Sequence, residues 1–192
     1  LSLETPNNDI FLINRIKDGD TGAFRQLVEK YKNVSLSLAC SILKDEIRAE
    51  DVLQDVFVKV FEKVDAFNFN SAFSTWLYRI VVNTSYNELK KYKNQTSLSQ
   101  VDLKPEKSID NTALNDLKEE EQEKYIRVAL NRLKADQALI LRLFYLCDLK
   151  ITEIEDITGF KSSKIKVDLH RGRINLDKEL KKLLGNEIHD LL

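Results

Sequence analysis

Between Ile151 and Leu176 the chain reads ITEIEDITGFKSSKIKVDLHRGRINL. Thr152 followed by Glu155 fits a capping box, so a short helix is expected there, with Ile154 and Ile157 facing inward. Gly159 supplies the positive φ that ends such a helix, and Phe160 is placed to plug the corner after it. A second helix is predicted from about Ser162, burying Ile165, Leu169, Ile174 and Leu176. Short helix, glycine turn and longer basic helix together form a helix-turn-helix pattern. The second helix carries Lys164, Lys166, Val167, His170, Arg171 and Arg173, followed by Lys178, Lys181 and Lys182. A helix of that width enters a major groove, where Lys and Arg pair with phosphates and guanine edges. The bland alternative is a solvated basic face. Asp168 would repel phosphate, so it is expected to point away or to pair with a neighbouring cation.

Working outward, two helices precede this unit. Tyr125, Ile126, Ala129, Leu130 and Leu133 mark one; Leu139, Ile140, Leu143 and Phe144 mark the next, with Asp136 as its expected cap. Upstream of them apolar periodicity is lost over a segment holding Pro105, many Ser, Asn and Asp residues, and the run Glu119, Glu120, Glu121. That composition predicts a flexible acidic linker, residues 95–122, whose last part enters a helix. Four more helices are expected before it. One runs from Asp9 to Lys17 and stops at Gly19. The second follows Asp20 or Thr21 as cap and repeats Phe24, Leu27, Val28, Tyr31, Val34, Leu38 and Ile42. The third spans about Ile47 to Val64, with Leu53, Val56, Phe57, Val60, Phe61 and Val64 on one face. The fourth opens near Ser71 or Ser74. The chain is thus predicted all-α, with a domain at 9–94, the linker, and a helix-turn-helix domain at 123–184.

Bulk composition agrees. Of 192 residues, five are Gly and two Pro, and no apolar alternation of strand type occurs. Net charge is −1, so any nucleic-acid site must come from local charge distribution. Cys40 and Cys147 lie far apart in helical segments and read as reduced thiols of a cytoplasmic protein. Neither a long apolar run nor a signal peptide is present, so no direct membrane insertion or export is expected. No Met occurs, and the first few residues are set aside. The two histidines, His170 and His189, have no metal-ligand spacing, and no P-loop, GxSxG or HExxH pattern is found. No enzyme and no cofactor is expected.

Two further faces invite a function. On the third helix Asp51, Gln54, Asp55, Val58 and Glu62 share one side; this is either a solvent face or a partly apolar acidic patch that docks a basic partner. In FNFNSAFSTWLYRIVVNTSYNELKK, Phe67–Lys91, the positions Phe73, Trp76, Leu77, Ile80, Val81 and Thr84 recur at three and four and are expected to be buried. The opposite side carries Arg79, Asn83, Tyr86, Asn87 and Lys90, a set suited to phosphates and base edges. Phe67 and Phe69 precede this helix in a polar loop with Asn70. Either they stack on unpaired bases or they tuck back onto the domain.

AEDVLQDVFVKVF, then the aromatic stretch, then the helix-turn-helix, in that order around a polar linker, resemble the extracytoplasmic-function sigma factors of the sigma-70 family. The resemblance runs from about Asp20 to Lys182. It implies an alternative sigma factor that directs core RNA polymerase to specific promoters. It assigns Asp51, Gln54, Asp55, Phe57, Val58 and Phe61 to docking on the polymerase β′ coiled coil, and implies a second contact on the β flap. Phe67, Phe69, Asn70, Arg79, Asn83, Tyr86, Asn87 and Lys90 fall where relatives recognise and open the −10 element, with Phe67 and Asn83 at the pocket for a flipped base. Lys164, Lys166, Val167, His170, Arg171 and Arg173 fall on the reader of the −35 element. The linker would thread toward the RNA exit channel, its acidity mimicking nucleic acid. An anti-sigma factor, often membrane-bound, is a further implied partner. Asn68, Phe69 and Asn70 stand where relatives often carry small or charged residues, and Val167 and Asp168 where Ser and Arg are common. The rival reading is a free-standing helix-turn-helix regulator, which would bind duplex DNA alone, normally as a dimer.

Overall fold

The structure, a computed structural model, describes residues 6–98 and 119–185, with side chains described for 8–95 and 122–185. All regular elements there are helical: α1 (Pro6–Lys17), α2 (Thr21–Leu43), α3 (Glu46–Lys63), a 3-10 turn (Val64–Ala66), α4 (Phe73–Leu98), α5 (Glu119–Arg132), α6 (Ala135–Tyr145), α7 (Ile151–Thr158) and α8 (Ser162–Leu184). Most of the expected linker, 95–122, lies outside the described residues. Its two ends are the last turn of α4 and the first of α5.

Local chemistry sets the boundaries. Asp20 caps α2, accepting from the N–H groups of Gly22 (2.8 Å) and Ala23 (3.0 Å). The Ala23 amide, with the Arg15 guanidinium, holds its carboxyl below the usual carboxylate range. Lys44 ends α2 in the left-handed conformation (φ 57°), and Asp45 starts α3 by accepting from the Arg48 N–H at 3.1 Å. Leu27, Leu38 and Ile42 of α2, Val56 and Val60 of α3, and Leu77 and Val81 of α4 then close a dry core. Tyr31 reaches across it, and its hydroxyl donates to Asp9 of α1 at 2.5 Å.

In the second half α6 is unusual, because Gln137 through Leu143 are buried without a break. A helix buried all round needs partners on more than one side. One is α8, where Gly172 makes room: a Cβ there would come within 3.1 Å of the Leu141 side chain. The other is α2 of the first half, and α7 packs similarly on α4. The two halves are therefore in direct contact.

Four expectations are corrected. Asp136 does not cap α6; Lys134 occupies that position, and the Asp136 carboxylate is taken by side chains of α4 and α8. The box at α7 is set two residues earlier, with Glu153 accepting from the Lys150 N–H at 2.9 Å. This frees Glu155 to accept from the Ser162 N–H at 2.6 Å and tie α7 to the start of α8. Ile174, expected inside, is 43% exposed, although Leu176 just beyond it packs against the core. Phe61 is 50% exposed although it follows the spacing of the α3 core face; one ring edge rests on Phe24 at 5.0 Å.

Candidate polymerase and nucleic-acid interfaces

The outer face of α3 is open. Asp51, Gln54 and Asp55 are exposed, and Val58 and Phe61 lie bare among the carboxylates. Asp45 and Glu46 at the α3 N-terminus favour the helix dipole, so the acidity there has a local reason. Val58 and Phe61 are 57% and 50% exposed beside the Asp51 and Asp55 carboxylates. Phe57, expected to dock with them, is corrected: at 9% exposure it belongs to the core. Between α3 and α4 a shallow groove lined by Asp55, Lys59, Thr84, Asn87 and Lys90 joins this face to the next.

On α4 the spacing argument holds in part. Arg79, Asn83, Asn87 and Lys90 are exposed along one side. Phe73 and Leu77 are buried, as are Tyr78 and Val82, which the periodicity did not mark. Of the two readings left open for Phe67, it takes the second and tucks back onto the domain. It is 4% exposed and packs on Phe73 (5.6 Å) and Trp76 (5.3 Å), because those rings leave an apolar floor for it. Phe69 is the ring left outside, 40% exposed, with Asn70 exposed beside it.

Tyr86 is also corrected, since it does not stand free on the polar side. Its hydroxyl donates to Asp136 Oδ1 at 2.8 Å, and its ring lies 6.4 Å from Phe160 of the second half. Burial and then the Asp136 carboxylate push its phenol above the ordinary range. On α8, Lys166, Val167, His170 and Arg171 are exposed and outward. Lys164 is engaged: its ammonium donates to Asp136 Oδ2 (2.7 Å) and Asp168 Oδ2 (2.6 Å). Partial burial opposes its charge, but the two carboxylates prevail and raise its pKa. Asp168 thus pairs with a cation, as expected. Arg173 turns to another side, its Nε 2.6 Å from the Tyr145 hydroxyl.

The contact between the halves holds groups that sequence reading missed. Arg142 is 2% exposed; its Nε donates to Ser37 Oγ (2.7 Å) and its Nη2 to Asn131 Oδ1 (3.0 Å), while Nη1 has no partner. Burial pushes its guanidinium down to about 10. Lys44 Nζ donates to the Asn131 carbonyl at 3.0 Å. Cys147, just after α6, faces the Tyr78 hydroxyl, and Cys40 lies beside Arg142; burial pushes the two thiols up to about 12 and about 11. Both are free thiols. The available signal was an arginine inside the apolar run LILRLF. Among the described residues no cluster of His, Cys, Asp and Glu could hold a metal, and no helix is long and apolar enough to cross a membrane.

Residues 27–95 match the family described as Sigma-70 region 2, and residues 123–176 that described as Sigma-70, region 4. The ECF RNA polymerase sigma factor SigW of Bacillus subtilis is 29% identical over 187 residues, covering 89% of this chain and 96% of that one. The ECF RNA polymerase sigma-E factor of Escherichia coli K12 is 29% identical over 184 residues, covering 92% and 96%. Among solved structures, the sigma factor RpoE in complex with the anti-sigma factor NepR from Bartonella quintana superposes with a TM-score of 0.69 at 25% identity, covering 82% of this chain and 96% of that one. CnrH in complex with the cytosolic domain of CnrY shares the fold, with a TM-score of 0.60 at 20% identity and coverage of 91% and 98%.

Proposed function

Given that the chain belongs to the sigma-70 family, in its extracytoplasmic-function group, we propose that it docks on core RNA polymerase through the outer face of α3. The observation that carries this is the bare strip of Val58 and Phe61 among Asp51, Gln54 and Asp55, an acidic apolar surface fitted to a basic helical partner such as the β′ coiled coil. The second half adds a contact on the β flap. Phe69, Asn70, Arg79, Asn83, Asn87 and Lys90 engage the −10 element as it opens, and Lys166, Val167, His170 and Arg171 read the −35 duplex. The chain makes no bonds itself; polymerase supplies the chemistry, in the cytoplasm.

The contact between the halves belongs to a waiting form. The two promoter elements lie apart along the duplex, which rises about 3.4 Å per base pair. Helix α7, beside the −35 reader, packs directly on α4, the −10 reader, so both elements are read only after the halves separate. A superposition covering 82% of the chain takes in both halves, and the protein it matches is held by an anti-sigma factor. That likeness supports an anti-sigma partner here, one that stabilises the closed pair.

Gel filtration of the purified chain with bacterial core polymerase, without DNA, tests the docking. Co-elution is expected. Failure to co-elute, with tight binding of the chain alone to duplex DNA, would leave a conventional helix-turn-helix regulator.

A further inference from the structure

The loop at 67–72 is shaped by a residue far from it in sequence. Lys17, the last residue of α1, sends its ammonium to the Phe67 carbonyl at 2.6 Å and the Asp65 carbonyl at 3.3 Å. The same ammonium lies 5.1 Å from the centroid of the Phe69 ring, close enough for a cation–π contact. Phe69 is held at φ 60°, a backbone region that a bulky side chain adopts only under constraint. Its other neighbour is the buried Phe67 ring, edge-on at 5.0 Å. Two carbonyls and a ring thus converge on one half-buried cation, and Phe69 is left 40% exposed. Strain of this kind persists where the surroundings over-determine it, and a preset ring loses less freedom on stacking than a mobile one.

We propose that Lys17 is the positioning residue for base capture. It holds Phe69 as a preset stacking platform beside Asn70, and so gives α1, which precedes the matched segment 27–95, a part in opening the −10 element. This rests on the sigma-factor reading. An ammonium is suited to the task because it serves three partners at once: it donates N–H bonds to two carbonyl oxygens and meets a ring face through its charge. A neutral side chain of similar length keeps the packing of the stem and loses all three.

The probe is a single-stranded oligonucleotide enriched from a randomised pool by wild-type holoenzyme. Lys17→Met is expected to weaken its binding to holoenzyme about five- to tenfold, as loss of part of one base-stacking contact would. Phe69→Ala should weaken it similarly, and the double variant no more than the stronger single, because both act through one platform. Lys17→Arg should restore most of the binding. Affinity for core polymerase should stay at the wild-type value in all of them, with the fold intact by circular dichroism. Unchanged oligonucleotide binding in Lys17→Met would overturn the assignment. So would losses that add in the double variant, or a loss matched by weaker core binding, which marks a structural prop. Wild-type protein that forms no holoenzyme at all would instead sink the sigma-factor reading.

Discussion

The outer face of α3 and the paired faces of α4 and α8 differ in one respect: the first is open and the second are engaged. Asp51, Asp55, Val58 and Phe61 are exposed, whereas Tyr86 and Lys164 share the carboxylate of Asp136. The surface proposed for polymerase is thus exposed, while the faces proposed to read DNA lie on helices tied together through Asp136. Under that proposal polymerase is met first and promoter second. The closed contact is also built to come apart. It buries Arg142 with no carboxylate partner among the described residues and one Nη unbonded. An uncompensated buried charge costs several kcal/mol, which offsets part of the gain from packing α6 on α2.

That contrast can be broken at either side. The largest effect is expected from Asp55→Lys, which sets a cation against a basic partner surface. Binding to core polymerase should fall about a hundredfold or more, with the fold intact by circular dichroism. Normal binding by the folded variant would remove α3 from the docking role. Next comes Arg142→Met, which keeps the volume and removes the buried charge. It also gives up the hydrogen bonds to Ser37 and Asn131, so the gain is what remains after that loss. The closed pair should tighten, and Cys40 and Cys147 report it directly, since both thiols lie in the contact and are held protonated by burial. Their reaction with Ellman's reagent in the free chain should slow about tenfold, following the open population. Faster reaction would mean that the arginine holds the halves together.

Asp136→Ala should act in the opposite direction and less strongly. Lys164 keeps Asp168, and the Tyr86 hydroxyl turns to water, so the loss is about 1–2 kcal/mol and the thiols should react roughly five- to thirtyfold faster. Asn83→Ala sharpens the comparison from the DNA side. Asn83 is exposed and outside the contact, so thiol reactivity and polymerase affinity should stay unchanged. Promoter opening, followed by permanganate footprinting, should fall severalfold, about 1 kcal/mol for one lost hydrogen bond to a base. An unchanged footprint would take Asn83 out of melting.

Much of this was legible from spacing. The apolar repeats of α2, the Asp20 cap, the Gly159 turn and the start of α8 at Ser162 are local events, governed by a few neighbouring side chains. The exposed rows Arg79, Asn83, Asn87, Lys90 and Lys166, Val167, His170, Arg171 follow from helical period once the buried face is known. The rest has a shared cause. Phe67 stays open between stacking and tucking back because helical spacing says nothing of a loop residue; its floor is Phe73 and Trp76, reached when the loop folds back. Phe57 was assigned to docking by resemblance, and burial against the first-half core withdraws it. Asp136 sits where a cap is common, but a capping carboxylate satisfies only one or two amides, and here it meets a phenol and an ammonium from distant helices.

What the sequence by itself determined is the set of helices, their order, which side of each is apolar, and the resemblance carried by three motifs. These depend on interactions within a few turns of one helix. Only the tertiary structure decided that α6 is covered on two sides, that Arg142, Cys40 and Cys147 lie between the halves, and that Lys17 governs a loop some fifty residues away. Those outcomes depend on which apolar faces meet. A periodicity shows that a face seeks a partner without naming it, and a polar residue acquires its role from whatever that meeting brings within 3 Å of it.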